Sequence, residues 1–377
     1  MKYMGSKRVM LQNGLGSLLR EQLGRHSRFV DLFCGGSSVV WYAAEVGNVP
    51  IFAVDLQTYA TTLACAVILR DQQADGPLLK TEFVDASRAA VRGHRLWRVA
   101  ERLEHDKLDV RSWSRRSMTL CGGRESSGEI WRSYGGHYFS PVQSLAFDIL
   151  LAHLPSDPAR RAICLSSVII AASQCAAAPG HTAQPFKATT RAAPFLREAW
   201  ERDVFQYVDR AIEILSTKSA KVQGIARVGD ATVIAKTLHE DDLVFVDPPY
   251  SGVHYSRFYH VLETIARGKC GPVDGVGRYP PAIERPVSAF SRKGQSAQAL
   301  RSLLNSLAVS GCTCIFTFPS GQCSNGLSGD ILLEIARESH RIRVKTVETK
   351  FSTLGGNNRH RHARRVSEEL MLLLKPK

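Results

Sequence analysis

The segment Phe29-Val30-Asp31-Leu32-Phe33-Cys34-Gly35-Gly36-Ser37-Ser38 decides the fold class of this 377-residue chain. Its first five residues form a short apolar run that predicts a buried strand, and the glycines and serines predict a turn into a helix. A second apolar run, Ile51–Asp55, follows at the spacing of a β-α-β unit with two parallel strands. Because glycine has no side chain, Gly35 and Gly36 would let a ligand approach the backbone closely.

The alternation of strands and helices returns in the second half of the chain. The predicted strands there are Val222–Val228, Leu243–Asp247, Cys312–Phe318, Arg341–Thr349 and Leu370–Leu374. The last two lie close together in sequence, which predicts an antiparallel hairpin at the edge of a mostly parallel sheet. Near the N-terminus, leucines between Leu11 and Leu23 share one face and predict a helix.

The stretch between these two α/β parts has a different character. Residues 76–215 are more helical and more polar, with scattered arginines and turn-rich segments such as Ala178-Pro179-Gly180-His181. This change predicts an inserted second domain at 76–215, between residues 1–75 and 216–377 of a single α/β domain.

Acidic residues stand where several predicted strands end, which is where open α/β sheets bind their ligands. Asp55 ends the second strand, 19 residues after Gly36, where an acid can accept hydrogen bonds from ribose hydroxyls. Gly229-Asp230 and Asp247-Pro248-Pro249-Tyr250 end two later strands. The paired prolines stiffen the chain and supply no backbone donors, so they can hold a carbonyl and the Asp247 carboxylate in place beside a flat tyrosine ring.

The composition narrows the class of protein. A formal net charge of +14 predicts a polyanionic partner such as nucleic acid. The sequence has no apolar run of about 18 residues, which argues against a membrane span, and its first residues lack the apolar stretch of a signal peptide. The nine cysteines are odd in number and lie mostly in apolar stretches, which predicts reduced thiols in a cytoplasm. Without a Cys-x-x-Cys pair, we expect no metal site.

The motifs resemble those of a known family. Asp247-Pro248-Pro249-Tyr250 resembles the catalytic motif of amino-methylating DNA methyltransferases, and Phe33-Cys34-Gly35-Gly36-Ser37 resembles their cofactor loop. Tyr3-Met4-Gly5-Ser6-Lys7 is similar to a segment that touches the cofactor in the Dam-like (D12, alpha-type) adenine-N6 methyltransferases. The order of the motifs matches that group, over roughly residues 1–75 and 220–377. Ser37 departs from the family pattern, since it replaces the second glycine of the loop.

The resemblance implies a Rossmann-like class I methyltransferase sheet, mostly parallel with an antiparallel edge hairpin, and an inserted, mainly helical target-recognition domain. It implies a site-specific enzyme that transfers a methyl group from S-adenosylmethionine to N6 of a flipped adenine in double-stranded DNA. The catalytic residues would be Asp247, Pro248, Pro249 and Tyr250. The Asp247 carboxylate and the Pro248 carbonyl would accept hydrogen bonds from the amino group, while Tyr250 stacks on the base.

Further residues follow from the same comparison. The residues expected at S-adenosylmethionine are Tyr3, Lys7, Asp31, Phe33, Gly35, Gly36, Asp55, Asp230 and Asp247. Those expected at DNA are Arg278, Arg292, Lys293, His181 and Lys187. The basic stretch Asn357–Arg365 fits a solvated loop and a phosphate contact equally well. A prokaryotic or phage source, with a cognate restriction or defence-system partner, would suit such an enzyme.

Other functions remain open at this stage. One alternative changes the substrate to N4 of cytosine or to adenine in RNA. Asp247 favours adenine, because cytosine-N4 relatives more often carry serine at that position. The other alternative is a catalytically silent DNA-binding subunit, which the complete Asp247–Tyr250 motif and Asp55 argue against.

Overall fold

The computed structural model describes residues 7–106, 108–352 and 364–377, without the side chains of 348–352 and 364–367. The strands within these residues are β1 (Arg28–Asp31), β2 (Ile51–Asp55), β3 (Ile225–Val228), β4 (Asp242–Val246), β5 (Thr313–Pro319), β6 (His340–Ser352) and β7 (Arg364–Pro376). They form one seven-stranded sheet in the order β3-β2-β1-β4-β5-β7-β6.

Helices separate most of the strands along the chain, and the long stretch between β2 and β3 is mainly helical. The α-helices are α1 (Arg8–Met10), α2 (Gly16–Leu23), α3 (Ser38–Val46), α4 (Thr58–Ile68), α5 (Gly76–Leu79), α6 (Ala86–Gly93), α7 (Trp97–His105), α8 (Val110–Cys121), α9 (Glu129–Tyr134), α10 (Pro141–Ala152), α11 (Pro158–Cys175), α12 (Ala193–Trp200), α13 (Val204–Ser216), α14 (Ala231–Ile234), α15 (Tyr255–Phe258), α16 (His260–Arg267), α17 (Ser296–Val309) and α18 (Gly329–Ser339). Short π-helical turns lie at Leu11–Leu15 and Lys80–Asp85, and 3-10 turns at Ala235–Thr237, Ala282–Glu284 and Ala289–Ser291. In the part of the chain described, no helix has the length and apolar character that crossing a membrane requires.

The predicted sheet is confirmed. Strands β3, β2, β1, β4 and β5 pair in parallel, whereas β7 pairs antiparallel with both β5 and β6. The last two strands therefore pair as predicted, with β6 at the edge and β7 inside the sheet. The strand order reverses between β1 and β4, which is the place where open α/β sheets bind ligands.

The observed strand bounds differ from the prediction, most of all at β7, which runs over Arg364–Pro376 and not only over Leu370–Leu374. Strand β2 is as expected, but β1 ends at Asp31, so Leu32 and Phe33 belong to the following turn. Strand β3, which lies at the edge of the sheet and is largely exposed, begins only at Ile225 and not at Val222. Strand β4 ends at Val246, which leaves Asp247 directly after it.

The helix predicted from Leu11 to Leu23 is broken, and the prediction of one continuous helix was wrong. A π-helical turn at Leu11–Leu15 separates α1 from α2, with non-helical angles at Asn13 and Gly14. Gly14 has a φ of +112°, which only glycine adopts without strain. Local backbone preferences thus outweigh the leucine periodicity, although Leu15, Leu19 and Leu23 are still buried.

The core of the sheet is apolar on both faces. Val30, Val244 and Phe316 belong to one face of three adjacent strands and are fully buried. The alternate residues Phe29, Phe245 and Ile315, on the other face, are buried as well. Leucines of α17 at 300, 303, 304 and 307 pack in the same cluster, at the spacing of one helical face. Strands covered on both sides read as continuous apolar runs, which is why the sequence revealed them.

The described chain divides into two compact units. The first, here called the sheet unit, comprises the described residues of Met4–Gln72, Lys218–Tyr255 and Pro286–Lys377. The second, the helical unit, comprises Gln73–Thr217 and Ser256–Arg285. The second segment of the helical unit follows the Asp247–Tyr250 motif in sequence, and the sequence interpretation had assigned it to the α/β part.

Inside the helical unit, buried aromatic hydroxyls hold the two segments together. The Tyr134 hydroxyl lies 2.8 Å from Oγ1 of Thr264, and the Tyr138 hydroxyl donates to the carbonyl of Gly277 at 2.9 Å. Trp113 and Trp200 meet edge to face, with ring centroids 5.0 Å apart. The role of this unit in target recognition stays a prediction.

An ion pair between neighbouring strands allows a test of the sheet. Arg28 on β1 donates from Nε and Nη2 to the two carboxylate oxygens of Asp242 on β4, each at 2.7 Å. The Asp242 side chain is 3% exposed and that of Arg28 is 32% exposed. Removing one partner leaves a half-buried charge without its hydrogen bonds. We therefore expect Asp242→Ala to lower the free energy of unfolding by about 2–3 kcal/mol in urea denaturation.

The matched control for this prediction is the exposed neighbour Asp241. Asp241→Ala should change the free energy of unfolding by less than about 0.5 kcal/mol. Equal urea midpoints for the two variants would show that the pair between β1 and β4 contributes nothing measurable.

Candidate active site

Four acidic residues lie at the carboxyl ends of four adjacent parallel strands of the sheet unit. Asp31 and Asp55 are the last residues of β1 and β2, and Asp247 directly follows β4. Asp230 follows β3 after a single glycine. Burial raises the pKa of the Asp31 carboxyl well above its usual value, and the carboxylates of Asp247 and Asp55 add to this effect. The predicted acids thus come together at one edge of the sheet.

The glycine turn after β1 has a left-handed backbone at two positions. Gly35 has a φ of +44° and Ser37 a φ of +58°. Ser37 is buried, its amide donates to the Cys34 carbonyl at 2.6 Å, and its hydroxyl donates to the Ala60 carbonyl at 3.2 Å. Ser37, which replaces the second glycine of the family's loop, therefore has a backbone conformation that glycine adopts most easily. A side-chain hydrogen bond holds it there.

The carboxylate of Asp55 ties this turn to the end of β2. Its Oδ2 accepts the amide of Gly35 at 2.9 Å, and its Oδ1 accepts the amide of Gln57 at 2.9 Å. At the start of the turn, Oδ1 of Asp31 accepts the amide of Phe33 at 3.0 Å. Two of the predicted acids therefore shape the backbone of the loop between them.

Phe33 and Asp230 also have local structural partners. The Phe33 ring meets Phe290 edge to face, with centroids 5.3 Å apart. Oδ1 of Asp230 accepts the amide of Thr232 at 2.8 Å and so caps the N-terminus of α14. These contacts orient both residues at the strand ends.

The Asp247 carboxylate lies in a cluster of buried charged and polar groups. Nζ of Lys7 is 2.9 Å from Asp247 Oδ1 and also forms an ion pair with Glu369. The Thr317 hydroxyl donates to the same Asp247 oxygen at 3.0 Å. Lys7 was predicted at the cofactor, and the structure shows it paired with these two carboxylates.

Burial and charge act in opposite directions within this cluster. Burial lowers the pKa of Lys7, but the Asp247 and Glu369 carboxylates outweigh it and raise that pKa overall, so the ammonium stays charged. Burial raises the pKa of Asp247, Lys7 lowers it, and the Glu369 carboxylate raises it, with a net rise above the usual value. The cluster therefore tunes the charge of the motif's carboxylate.

The loop after β4 is held by a buried asparagine. Nδ2 of Asn325 donates to the carbonyls of Pro249 at 3.1 Å and Phe290 at 2.9 Å. The Tyr250 ring meets Phe318 edge to face, with centroids 6.4 Å apart, and Nζ of Lys7 lies 6.0 Å from the Tyr250 centroid. The stiffness expected of the paired prolines is therefore reinforced by a side chain from a distant part of the chain.

Sequence reasoning missed Glu369, Thr317 and Asn325. Glu369 could have been found from its place beside the apolar run Leu370–Leu374. An acid next to a buried strand is shielded from solvent and therefore needs a charged or hydrogen-bonding partner. Thr317 and Asn325 carried no such signal, since threonine and asparagine are common in strands and turns.

The residues predicted at DNA differ in their surroundings. Arg278 has a φ of +53°, and its Nε donates to the Ser133 carbonyl at 2.9 Å. The His181 ring packs on Phe258, and burial lowers the pKa of its imidazole. In contrast, the exposed side chains of this set are those of Lys187, Arg292 and Lys293. Tyr3 and the side chains of Asn357–Arg365 lie outside the described residues.

A comparison with curated proteins finds no match. A comparison with protein families matches residues 173–275, which contain Asp230 and the Asp247–Tyr250 motif but neither Lys7 nor the Gly35-Gly36 turn. The members of the matched family are specific for N6 of adenine in DNA. Nothing in the match favours methylation of cytosine, methylation of RNA or a catalytically silent subunit. This stretch matches the D12 class N6 adenine-specific DNA methyltransferases, so the resemblance is confirmed there. The match supports adenine-N6 methylation of DNA as the activity of this enzyme.

Proposed function

We propose that this enzyme transfers the methyl group of S-adenosylmethionine to N6 of an adenine flipped out of double-stranded DNA. The observation that carries the proposal is Asp247-Pro248-Pro249-Tyr250, which directly follows β4 at the edge where Asp31 and Asp55 also end strands. The family match includes this motif. A base inside the duplex is out of reach of any active site, which is why we include flipping.

The residues at the strand ends suit S-adenosylmethionine, which carries a sulfonium, an ammonium and two ribose hydroxyls. Carboxylates at one edge favour cations, and Gly35-Gly36 leaves room for a ligand against the backbone. Each oxygen of the Asp55 carboxylate accepts a backbone amide, and a ribose hydroxyl is a further donor of the kind that carboxylate oxygens accept. When bound, this cofactor supplies the methyl group.

The chemistry assigned to Asp247 follows from the nature of the amine. The lone pair of the adenine amino group is delocalised into the ring, so the nitrogen needs acceptors for its hydrogens as its positive charge develops. Lys7 and Thr317 both contact Oδ1 of Asp247, and these contacts fix the carboxylate. Its other oxygen, Oδ2, can then accept a hydrogen bond from the amino group. Pro248 would add its carbonyl, and Tyr250 would stack on the base.

The helical unit is proposed as the target-recognition part of the enzyme. Arg257 and Arg285 flank the Tyr279 ring, with guanidinium carbons 5.1 and 5.4 Å from its centroid. Lys187 is exposed in the turn-rich segment of the same unit. Arg278 donates to backbone carbonyls, so we assign it to holding its loop and assign phosphate contacts to Lys187. A cytoplasmic location and a restriction or defence-system partner stay predictions.

The first test concerns the motif carboxylate. Asp247→Asn keeps the size of the side chain but removes its charge, so it should lower kcat for N6-methyladenine formation by about 100-fold or more. Mass spectrometry of digested DNA measures the product. Gel-shift assays should show DNA binding within about threefold of the unaltered enzyme, because the change removes no phosphate contact. Unaltered turnover would contradict the assigned role.

The second test concerns cofactor binding. Asp55→Ala removes the proposed acceptor for the ribose hydroxyls and the partner of the Gly35 amide, so the Kd for S-adenosylmethionine should rise about tenfold or more in calorimetry. Asp71→Ala, at a more exposed acid of the same unit, is the control and should bind normally. An unchanged Kd in Asp55→Ala would refute the cofactor assignment.

The third test concerns DNA. Lys187→Ala should weaken binding uniformly across DNA sequences and reduce the slope of log K against log salt by about 1. Lys221→Ala, which removes an exposed lysine of the sheet unit, is the control with an unchanged slope. If both variants bind alike, Lys187 makes no phosphate contact.

A further inference from the structure

One buried cluster holds two carboxylates against a single ammonium. Lys7 and Glu369 are each 3% exposed, and the Asp247 side chain is 16% exposed. Lys7 contacts both carboxylates, so the three charged groups together carry a net charge of −1. A buried carboxylate lowers the stability of the folded state unless it is fully paired, and here two carboxylates share the ammonium of Lys7.

The sheet brings these groups together. Strands β4, β5 and β7 are consecutive in the sheet. Asp247 follows β4, Thr317 lies on β5, and Glu369 on β7 pairs with Pro319 at the end of β5. Glu369 is therefore held by strand pairing on both sides, because it also pairs with Val347 on β6. The backbone of Glu369 therefore cannot move away from Lys7 without disturbing the sheet.

Sharing the ammonium has an electrostatic consequence for Asp247. If Lys7 paired with Asp247 alone, the two charges would cancel, and the carboxylate would be a weaker acceptor for a further donor. Because Lys7 also contacts Glu369, its positive charge does not fully offset the charge of Asp247, and the Asp247 carboxylate stays a strong acceptor. A developing positive charge on an amine beside Asp247 would be stabilised by this surplus.

We propose that Glu369 is a positioning residue for methyl transfer, which holds Lys7 between two carboxylates so that Asp247 stays a strong hydrogen-bond acceptor for the adenine amino group. This inference rests on the proposed function and adds a residue to the same site. Glu369 acts through Lys7 and does not touch the reacting atoms.

The pH dependence of the reaction separates this role from simple structural support. The groups around Asp247 are Lys7 from the N-terminal segment, Thr317 from β5, Glu369 from β7 and Asp31 from β1. The Glu369 carboxylate raises the pKa of Asp247. Removing that charge should lower the pKa of Asp247, so activity, which needs the ionised carboxylate, should persist to lower pH. A lost structural contact would lower activity without moving this limb of the profile.

The experiment measures kcat against pH at saturating cofactor and DNA. We expect Glu369→Gln to lower kcat about 10- to 100-fold near neutral pH, to leave both KM values within about threefold, and to move the acidic limb to lower pH. The control is Glu368→Gln, at the exposed neighbour on β7, which should retain the unaltered profile. A folded Glu369→Gln enzyme with an unaltered kcat or an unmoved limb overturns the proposal.

A second variant covers the case in which Glu369→Gln does not fold. Glu369→Asp keeps the charge but shortens its reach, so kcat should fall while the acidic limb stays in place, and an unaltered kcat would overturn the proposal. If the unaltered enzyme forms no N6-methyladenine, the proposed function itself fails. An active unaltered enzyme with indifferent Glu369 variants contradicts only the role of Glu369.

Discussion

Parallel pairing of β1 with both β2 and β4 is the constraint on which the rest of the site depends. Parallel strands all end at the same edge, and the chain must cross over before each new strand begins. The strand order reverses between β1 and β4, so the loops after these strands diverge there. Asp31, Asp55 and Asp247 therefore meet at one edge, although they are far apart in the sequence.

The loops at this edge are held mainly by carboxylates and one amide side chain. Asp55 fixes the Gly35 amide, and Asn325 fixes the Pro249 carbonyl. Ser37 shows how the loop tolerates a residue other than glycine, because its left-handed backbone comes with a side-chain hydrogen bond to Ala60. The backbone near the proposed cofactor and base is thus held by hydrogen bonds within the protein itself, as electrostatic catalysis requires.

The two compact units differ in how they are stabilised. The sheet unit has a continuous apolar core, and the buried charged cluster of Lys7, Asp247 and Glu369 lies in the same unit. The helical unit relies on buried aromatic residues whose hydroxyls bind the backbone, as Tyr138 does with Gly277. Its second segment, Ser256–Arg285, begins a few residues after the Asp247–Tyr250 motif in sequence. A change in the helical unit on DNA binding would therefore be only a few residues from Tyr250 along the chain.

Much of the fold could be predicted from the sequence, because buried strands of a parallel sheet are apolar on both faces and stand out as continuous runs. Strands β1, β2, β4 and β5 were found in this way, and the antiparallel pair of β6 and β7 was predicted from its closeness in sequence. The break at Gly14 was missed because leucine periodicity gives no sign of a local backbone angle. In the site, Asp55 could be found because it ends a recognisable strand, and Asp247–Tyr250 because it is a contiguous motif directly after another.

By itself, the sequence determined the strands, the acidic strand ends and the family resemblance, since all three are local patterns of neighbouring residues. Only the tertiary structure decided that Lys7 contacts Asp247 and Glu369, because these residues come from distant parts of the chain. It also decided that Arg278 donates to Ser133. The physical reason is the same in both cases: an ion pair or hydrogen bond depends on distance in space and on burial, and neither is encoded in the spacing of residues along the chain.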